Sequence, residues 1–335
     1  MNNIKKVYIF GLFNAFYDSF YIKGIQDLFG KNKIEYNVSL FPRFKQNTFA
    51  VIFKYNDNTE YKVIIDSRDA ADIWKDELLW CDVYGKINYN IAEIPADLGS
   101  KIIPIGPSFG IKFFNLYESL FLGLKNTLSF RSVLLNPKDY LANYWRQYKR
   151  LPLEDYYIKE KVLEKYVFFI SSIWKKEFQT NTNRANFIKA CKDSSSVLFE
   201  GGLAPRKDGD NLGFDALLTT GRFSLQSYFS KTKKSEFVFN TPAVLSCHGW
   251  KLGEFLAMGK AIISTYHTNV LPSPLENGIH ILYVDKNLLQ DYSEKIAHLI
   301  NNTQKRQELE DNAFAYFKKH LEPKVVINKL VNFQD

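Results

Sequence analysis

The sequence predicts an α/β protein of two Rossmann-like domains, each a mostly parallel sheet covered by helices, facing each other across a cleft. Three observations predict it. At 335 residues the chain is long for one hydrophobic core and comfortable for two. Short apolar runs alternate with helical stretches, as in parallel sheets buried on both faces. The alternation also breaks near Lys112 and restarts at Tyr166. The expected boundaries are residues 1–160 for an N-terminal domain, 161–320 for a C-terminal domain, and 321–335 for a tail that packs back on the first.

Composition narrows the function classes. A hydrophobic content of 46% and a charged content of 24% are those of an ordinary globular protein, whereas 16% aromatic residues is high. The aromatic excess suits a core, sugar stacking or a lipid interface. Three widely spaced cysteines, Cys81, Cys191 and Cys247, form neither a disulfide framework nor a zinc pattern, which favours a reducing cytoplasm. The net charge of +8 fits an anionic partner. No RNA-binding or zinc-finger motif is present, so nucleic acid is not the expected one.

Taken in order, Lys5 and Lys6 before the apolar run Val7–Tyr17 mimic a signal peptide. No small-residue cleavage site follows and Asp18 interrupts the run, so a first buried strand ending at Gly11 is expected. No run approaches the roughly 20 apolar residues of a membrane span. Further strands are expected at Glu35–Phe41, Phe49–Tyr55, Lys62–Asp66, Asp82–Asn88 and Lys101–Ile105. Asn56-Asp57-Asn58 marks a hairpin between the third and fourth, and Asp69–Leu79 has helical spacing.

The stretch 112–150 is helical, aromatic and basic. Lys112, Lys125, Arg131, Lys138, Arg146, Lys149 and Arg150 oppose Glu118 and Asp139, an excess of +5, with Phe113, Phe114, Phe121 and Phe130 interleaved. It reads either as a solvated helical cap or as a surface for anionic lipid or a lipid-linked acceptor. The second alternation runs through strands at Tyr166–Trp174, Ser196–Glu200, Glu236–Asn240, Ala261–Ser264 and His280–Val284. Helices are expected at Arg184–Cys191, capped by Asn181–Asn183, and at Tyr292–Asn302 and Gln304–Lys319.

Ser246–Val284 carries the most chemistry. It reads as loop, helix, buried strand, loop and strand, with Lys251 and Glu254 three apart at the helix start. Such a start offers free N–H groups and a positive dipole end, which suit a phosphate. Glu254 could accept hydroxyls from a ribose. The pattern K-x-S-x-F (Lys233, Ser235, Phe237) followed by H-G-W-K-L-x-E-x-L-A-x-G-K-A-I-I-S (His248–Ser264) resembles the donor half of GT-B glycosyltransferases, exostosin-like and group 1 (family 4) enzymes in particular. Leu271-Pro272, Glu276–Gly278 and the E-x-N-A of Glu310–Ala313 extend the likeness over about 228–321; in the N-terminal half it is one of topology.

The resemblance implies a nucleotide-diphosphate sugar on the C-terminal domain and a glycan or lipid-linked acceptor on the N-terminal one. Lys251 would meet the diphosphate and Glu254 the ribose. The family-4 pair of glutamates eight apart is broken, because Ser246 stands at the first position. The remaining donor-side candidates are His248, Gly249, Lys175, Lys176, Arg206 and Glu276; each also has a plain reading as a loop, turn or solvated residue. Asn183 and Arg184 could serve the same cleft.

Inverting transfer needs a base, for which Asp18 and Asp66 are the candidates; Asp66 could instead cap a helix. Asp208-Gly209-Asp210 spells a D-x-D metal signature inside a turn-rich loop, where turn chemistry explains it. No cofactor is expected, and helix N-termini with cations would do a metal's work. The reading is a cytoplasmic glycosyltransferase, for which the resemblance implies a setting in surface-polysaccharide assembly and the basic, aromatic stretch admits a peripheral place on the inner face of the membrane. An epimerase of the same fold and a non-catalytic nucleotide-sugar-binding scaffold remain alternatives.

Overall fold

The computed structural model describes residues 3–333. The chain begins β1 (Ile4–Phe10), α1 (Ala15–Phe29), β2 (Ile34–Asn37), β3 (Phe49–Tyr55), β4 (Glu60–Asp66), α2 (Lys75–Trp80), β5 (Val83–Lys86) and β6 (Ile102–Pro104). Three helices follow, α3 (Leu116–Ser129), α4 (Pro137–Tyr148) and α5 (Leu153–Tyr157). The second half runs β7 (Tyr166–Ser172), α6 (Phe178–Asp193), β8 (Leu198–Ala204), α7 (Leu225–Lys234), β9 (Val238–Asn240), α8 (Gly249–Ala257), β10 (Ile262–Ser264) and β11 (Leu282–Tyr283). Helices α9 (Leu289–Asn301), α10 (Thr303–Tyr316) and α11 (Pro323–Val331) close the chain. Two compact α/β units result. One holds residues up to Asp155 with 270–272 and everything from Lys319; the other holds 156–269 and 273–318.

The first unit is built on a six-stranded sheet of order β2-β1-β3-β4-β5-β6. It is less parallel than expected, because β3 runs antiparallel to both β1 and β4. The cause is local. Asn58 takes φ 69° in the turn, and Asp57 accepts from the Thr59 N–H and hydroxyl at 2.9 and 2.6 Å, which closes a tight hairpin. Buried Phe49–Phe53 then fills the middle of the sheet. Helix α11 packs on α1, and the approach is close enough that a Cβ on Gly24 would collide with the Pro323 carbonyl.

Helix α3 starts at a reciprocal capping box between Asn115 and Glu118, and α4 at Asn136 followed by Pro137. Gln147 holds the pair together, donating to the Phe114 carbonyl at 3.1 Å and to Ser119 Oγ at 2.7 Å. The inward face of α3 is small and polar: Ser119, Gly123 and Asn126. Its outward face is apolar, with Tyr117, Leu120, Phe121, Leu124 and Leu128 all exposed.

In the second unit β7 pairs parallel with β8, and β9, β10 and β11 form a parallel trio. The two pieces lie side by side. The Glu236 N–H leading into β9 donates to the Tyr166 carbonyl at 2.9 Å, and Ser235 Oγ accepts the Phe168 N–H at 2.9 Å. The strand order is therefore β8-β7-β9-β10-β11, so the chain reverses its winding between β7 and β9. Phe187 stacks on Phe239 at 4.4 Å in a core shared with Phe169, Phe237, Ile263 and Tyr292. Helix α6 begins at Phe178, earlier than the sequence suggests. Asn181 is not a cap: it lies in the first turn of the helix, accepting the Trp174 N–H at 3.0 Å and donating to its carbonyl at 2.7 Å. A buried asparagine can satisfy a strand-to-helix loop from inside a helix, which makes it look like a cap in sequence.

Candidate functional site

In an open parallel sheet, ligands bind beyond the carboxyl ends of the strands where the winding reverses. In the second unit that point is the gap between the ends of β7 and β9, and a cavity of about 350 Å3 lies there. Its walls come from Ile170–Ser172 at the end of β7, Asn240 and Thr241 at the end of β9, Arg184 of α6, and His248–Lys251 at the start of α8.

Two cations line it. Arg184 is 5% exposed, and its Nη1 donates to the Ser172 carbonyl at 2.7 Å. Lys251 Nζ donates to the Ile170 carbonyl and lies 5.0 Å from the centroid of the Phe169 ring. Burial pushes the Arg184 guanidinium down to about 10. Burial, followed by the charge of Arg184, pushes Lys251 down to about 7, against a smaller opposite pull from Glu254. Neither cation makes an ion pair among the described residues; each is held on a backbone carbonyl.

The helix start adds to this. Gly249 opens α8 at φ 66°, a conformation natural to glycine, while a Cβ there would meet only ordinary contact with Ala243. Leu245 and Ser246 just before it also take left-handed φ values of 55° and 59°. Such residues cost about 1–2 kcal/mol each and persist where surrounding structure dictates them. Here Glu177 accepts the Leu245 N–H at 2.9 Å and Asn269 donates to the Ser246 carbonyl at 3.2 Å. The loop is thus clamped so that the first-turn N–H groups of α8 sit at the cavity that Arg184 and Lys251 line.

Of the residues singled out from sequence, Lys251, His248 and Gly249 line this cavity together. Glu254 is buried one turn further along α8, where the Tyr228 hydroxyl donates to it at 3.3 Å. Lys175 and Lys176 lie exposed in the turn after β7 and are not among the lining residues. Arg206 pairs with Asp208 at 2.5 Å and donates to the Ile173 carbonyl at 3.2 Å. Asp208 is thereby occupied by Arg206, and Asp210 accepts the Leu212 N–H at 3.2 Å, so the D-x-D stretch is a self-closed turn. Among the described residues no group of three or more metal-binding side chains converges. Glu276 is exposed in a turn whose N–H donates to His280 Nδ1 at 3.1 Å.

Asp18 and Asp66 belong to the first unit. Asp18 is buried in α1 and accepts the Asn14 N–H at 2.7 Å, while Asn14 accepts from Phe16 and Tyr17, a reciprocal cap on the helix. Burial pushes the Asp18 carboxyl up to about 8, with the Asn14 bond pulling weakly the other way. Asp66 ends β4 and is the centre of a closed cluster. It accepts from Lys86 Nζ at 2.8 Å, from the Tyr84 hydroxyl at 2.6 Å, and from Arg68 at 3.0 and 2.7 Å. Burial alone would raise it; the Arg68 bonds and the Lys86 charge outweigh that and hold it below the ordinary carboxylate value.

Arg184, Asn240, Thr241 and Ser172 are the lining residues that motif reading passed over or ranked low. The signal was present in part: each lies at or just beyond a strand end, or in the first turns of the helix that follows one.

No protein-family model and no curated protein sequence matches the chain. Among solved structures, it is similar to the C-terminal domain of a group 1 family glycosyl transferase from Francisella tularensis, at 17% identity, covering 47% of this chain and 87% of that one, with a TM-score of 0.34. It is also similar to HepE from Anabaena in complex with UDP and glucose, at 13% identity over 81% of this chain and 70% of that one, TM-score 0.45. A glycosyltransferase from Rickettsia africae matches at 12% identity over 78% and 67%, TM-score 0.43.

Proposed function

We propose that this protein is a glycosyltransferase that takes a sugar from a nucleotide-diphosphate donor held at the β7/β9 cavity. The observation that carries the reading is a pair of cations, a buried Arg184 and a half-buried Lys251, beside the N-terminus of α8 at the point of winding reversal. Two desolvated cations and a helix start form a strong anion site, and the leaving nucleoside diphosphate is the anion whose charge grows as the glycosidic bond breaks. Arg184 and Lys251 stabilise that charge, which is why the reaction is proposed to need no metal. Glu254, one turn along, serves the ribose. Asp18 is preferred over Asp66 as acceptor base because Asp66 is committed to Arg68, Lys86 and Tyr84; with its carboxyl raised to about 8, Asp18 can take a proton only in its ionised fraction, which grows as pH rises toward 8.

Thermal-shift screening with UDP, GDP, CMP and dTDP tests the donor site, followed by acceptor-dependent nucleotide release in the presence of EDTA. The Lys251→Met variant should bind the stabilising nucleotide about tenfold or more weakly, a loss of ~1.4 kcal/mol, while remaining folded. Wild-type affinity in both Lys251→Met and Arg184→Met would refute the site. Nucleotide release that needs no acceptor would point instead to an epimerase.

The proposed setting is surface-polysaccharide assembly on a lipid-linked acceptor at the cytoplasmic face of the membrane. What favours it is the outward face of α3, where Tyr117, Phe121 and Leu128 are 83%, 66% and 71% exposed, with Lys125, Arg131 and Lys138 also exposed nearby in sequence. Among the described residues no helix is long and apolar enough to cross a membrane. Sedimentation with phosphatidylcholine vesicles should show little binding, and vesicles containing phosphatidylglycerol should bind strongly, with loss on Phe121→Ser/Leu128→Ser. Equal partitioning of wild type and variant would discard the lipid surface.

A further inference from the structure

A second cavity of the same unit, about 750 Å3, opens beyond the ends of β9, β10 and β11. It shares Thr241 with the cationic cavity and is lined besides by Thr265, Tyr266, His267, Asn277 and Tyr283. A chain of hydrogen bonds runs to it from the sheet, and every proton in that chain has a determined direction.

Ser264 Oγ lies 2.8 Å from the Thr265 carbonyl, which can only accept, so the Ser264 hydroxyl spends its one proton there. The Asn240 side-chain atom 3.0 Å from Ser264 Oγ must therefore be the donor, Nδ2. The same nitrogen lies 3.0 Å from His267 Nε2, which must be the unprotonated, accepting nitrogen. A neutral imidazole then carries its proton on Nδ1 and donates it to the Tyr283 hydroxyl, 3.1 Å away. Burial keeps His267 neutral, pushing it down to about 3, with His248 adding to the effect. Tyr283 is left accepting from His267, with its own proton turned away from the imidazole. Its backbone is fixed as well, since Asn277 Oδ1 accepts the Tyr283 N–H at 2.9 Å.

The rest of the wall suits one ligand class. Tyr266 is 66% exposed and stacks on Tyr283 at 4.4 Å and 14°, forming an aromatic platform. Glu177, Asp285 and Asp291 also line the cavity together with Lys286 and Lys295, the last paired with Asp291, a mixed wall that offers both acceptors and donors to hydroxyl groups. A flat aromatic face, an oriented phenolic donor and nearby carboxylates match the alternating apolar and hydroxyl faces of a sugar ring.

We infer that this cavity is a sugar subsite, in which Tyr283 donates to a ring or hydroxyl oxygen and the Asn240–His267 pair acts as the positioning relay. The inference deepens the donor reading, and the sugar is either that of the donor or the terminal residue of the acceptor. The experiment uses wild type, Tyr283→Phe and Tyr266→Ala, titrated calorimetrically with UDP, GDP and dTDP and with their glucose conjugates. The same proteins are titrated with methyl glucoside while the tyrosine ring signals are followed by NMR. A donor sugar predicts unchanged binding of the bare diphosphate but at least fivefold weaker binding of the glucose conjugate in both variants. An acceptor sugar predicts unchanged donor binding, with the methyl-glucoside response of the tyrosine rings lost. If wild type binds no nucleotide at all, the donor reading fails and the methyl-glucoside response alone decides the subsite. Variants that match wild type with every probe would overturn it. The relay has its own test: 15N shifts of His267 should report a neutral ring protonated at Nδ1 near pH 7, and an Nε2-protonated ring or an imidazolium would break the chain.

Discussion

Two clusters of cations, one in each unit, are held in opposite ways. In the first, Lys86 is fully buried and Arg68 partly so, and both converge on Asp66, whose oxygens they fill together with Tyr84. In the second, Arg184 and Lys251 face one cavity, and each rests on a backbone carbonyl. A buried ion cluster that is closed on itself fixes a strand end and a loop. A cation pair that makes no ion pair among the described residues, with Glu254 giving Lys251 only a small opposite pull, keeps much of its desolvation cost, and a ligand of opposite charge relieves it. The contrast separates a structural device from a binding one more sharply than residue type does.

The largest expected effect breaks the closed side of this comparison. Asp66→Asn leaves Lys86 buried without its counter-charge and should cost about 3–5 kcal/mol in urea unfolding. A loss under about 1 kcal/mol would mean that the cluster is not what holds this strand end.

Next comes pH. Lys251 sits at about 7 in the folded protein, below its ordinary 10.5. Between those values the unfolded chain holds the extra proton, so this group's own contribution favours folding as pH rises. Diphosphate binding runs the other way, because an anion beside Lys251 holds the proton on. Affinity should fall as pH rises above 7, by up to about tenfold per unit, with proton uptake on binding at pH 8. Calorimetry in buffers of different ionisation enthalpy checks this, and the pH dependence should vanish in Lys251→Met. A flat profile in wild type would show that Lys251 is already charged without ligand.

The smallest effect concerns the clamp on α8. Leu245→Gly removes left-handed strain and should stabilise the protein by about 0.4–1 kcal/mol, while loosening the loop and weakening nucleotide binding a few-fold. Stability is read by thermal melting and affinity by titration; a destabilised variant would mean that φ 55° is not strained at this position.

Much of the fold was legible because it is written in local chemistry. The hairpin at Asn56–Asn58 and the run of helix and strand through Ser246–Ser264 both follow from turn residues and apolar period. The hairpin made β3 antiparallel to β4 legible, but its place beside β1 was not, because sheet order depends on partners remote in sequence. The candidate site was half legible. Lys251, His248 and Gly249 stand in one motif. Arg184, 67 residues upstream, was readable only as a residue that could serve the same cleft, because nothing in its helix's sequence says where its side chain points. Asp66 looked like a base because a carboxylate ending a strand is a common catalytic signature. That Lys86, 20 residues on, would fill it is a fact of register between β4 and β5, where Asp66 pairs with Lys86.

The return of α11 to the first unit has a consequence for synthesis. Its close approach to Gly24, together with the Tyr61 hydroxyl donating to the Leu330 carbonyl at 3.3 Å, makes it part of the layer that covers the first sheet. On the ribosome, the strands of that sheet emerge long before α11 does. The unit made first is therefore completed last, and during the interval the surface of α1 that α11 will cover stays open, for roughly the time taken to translate the whole second unit.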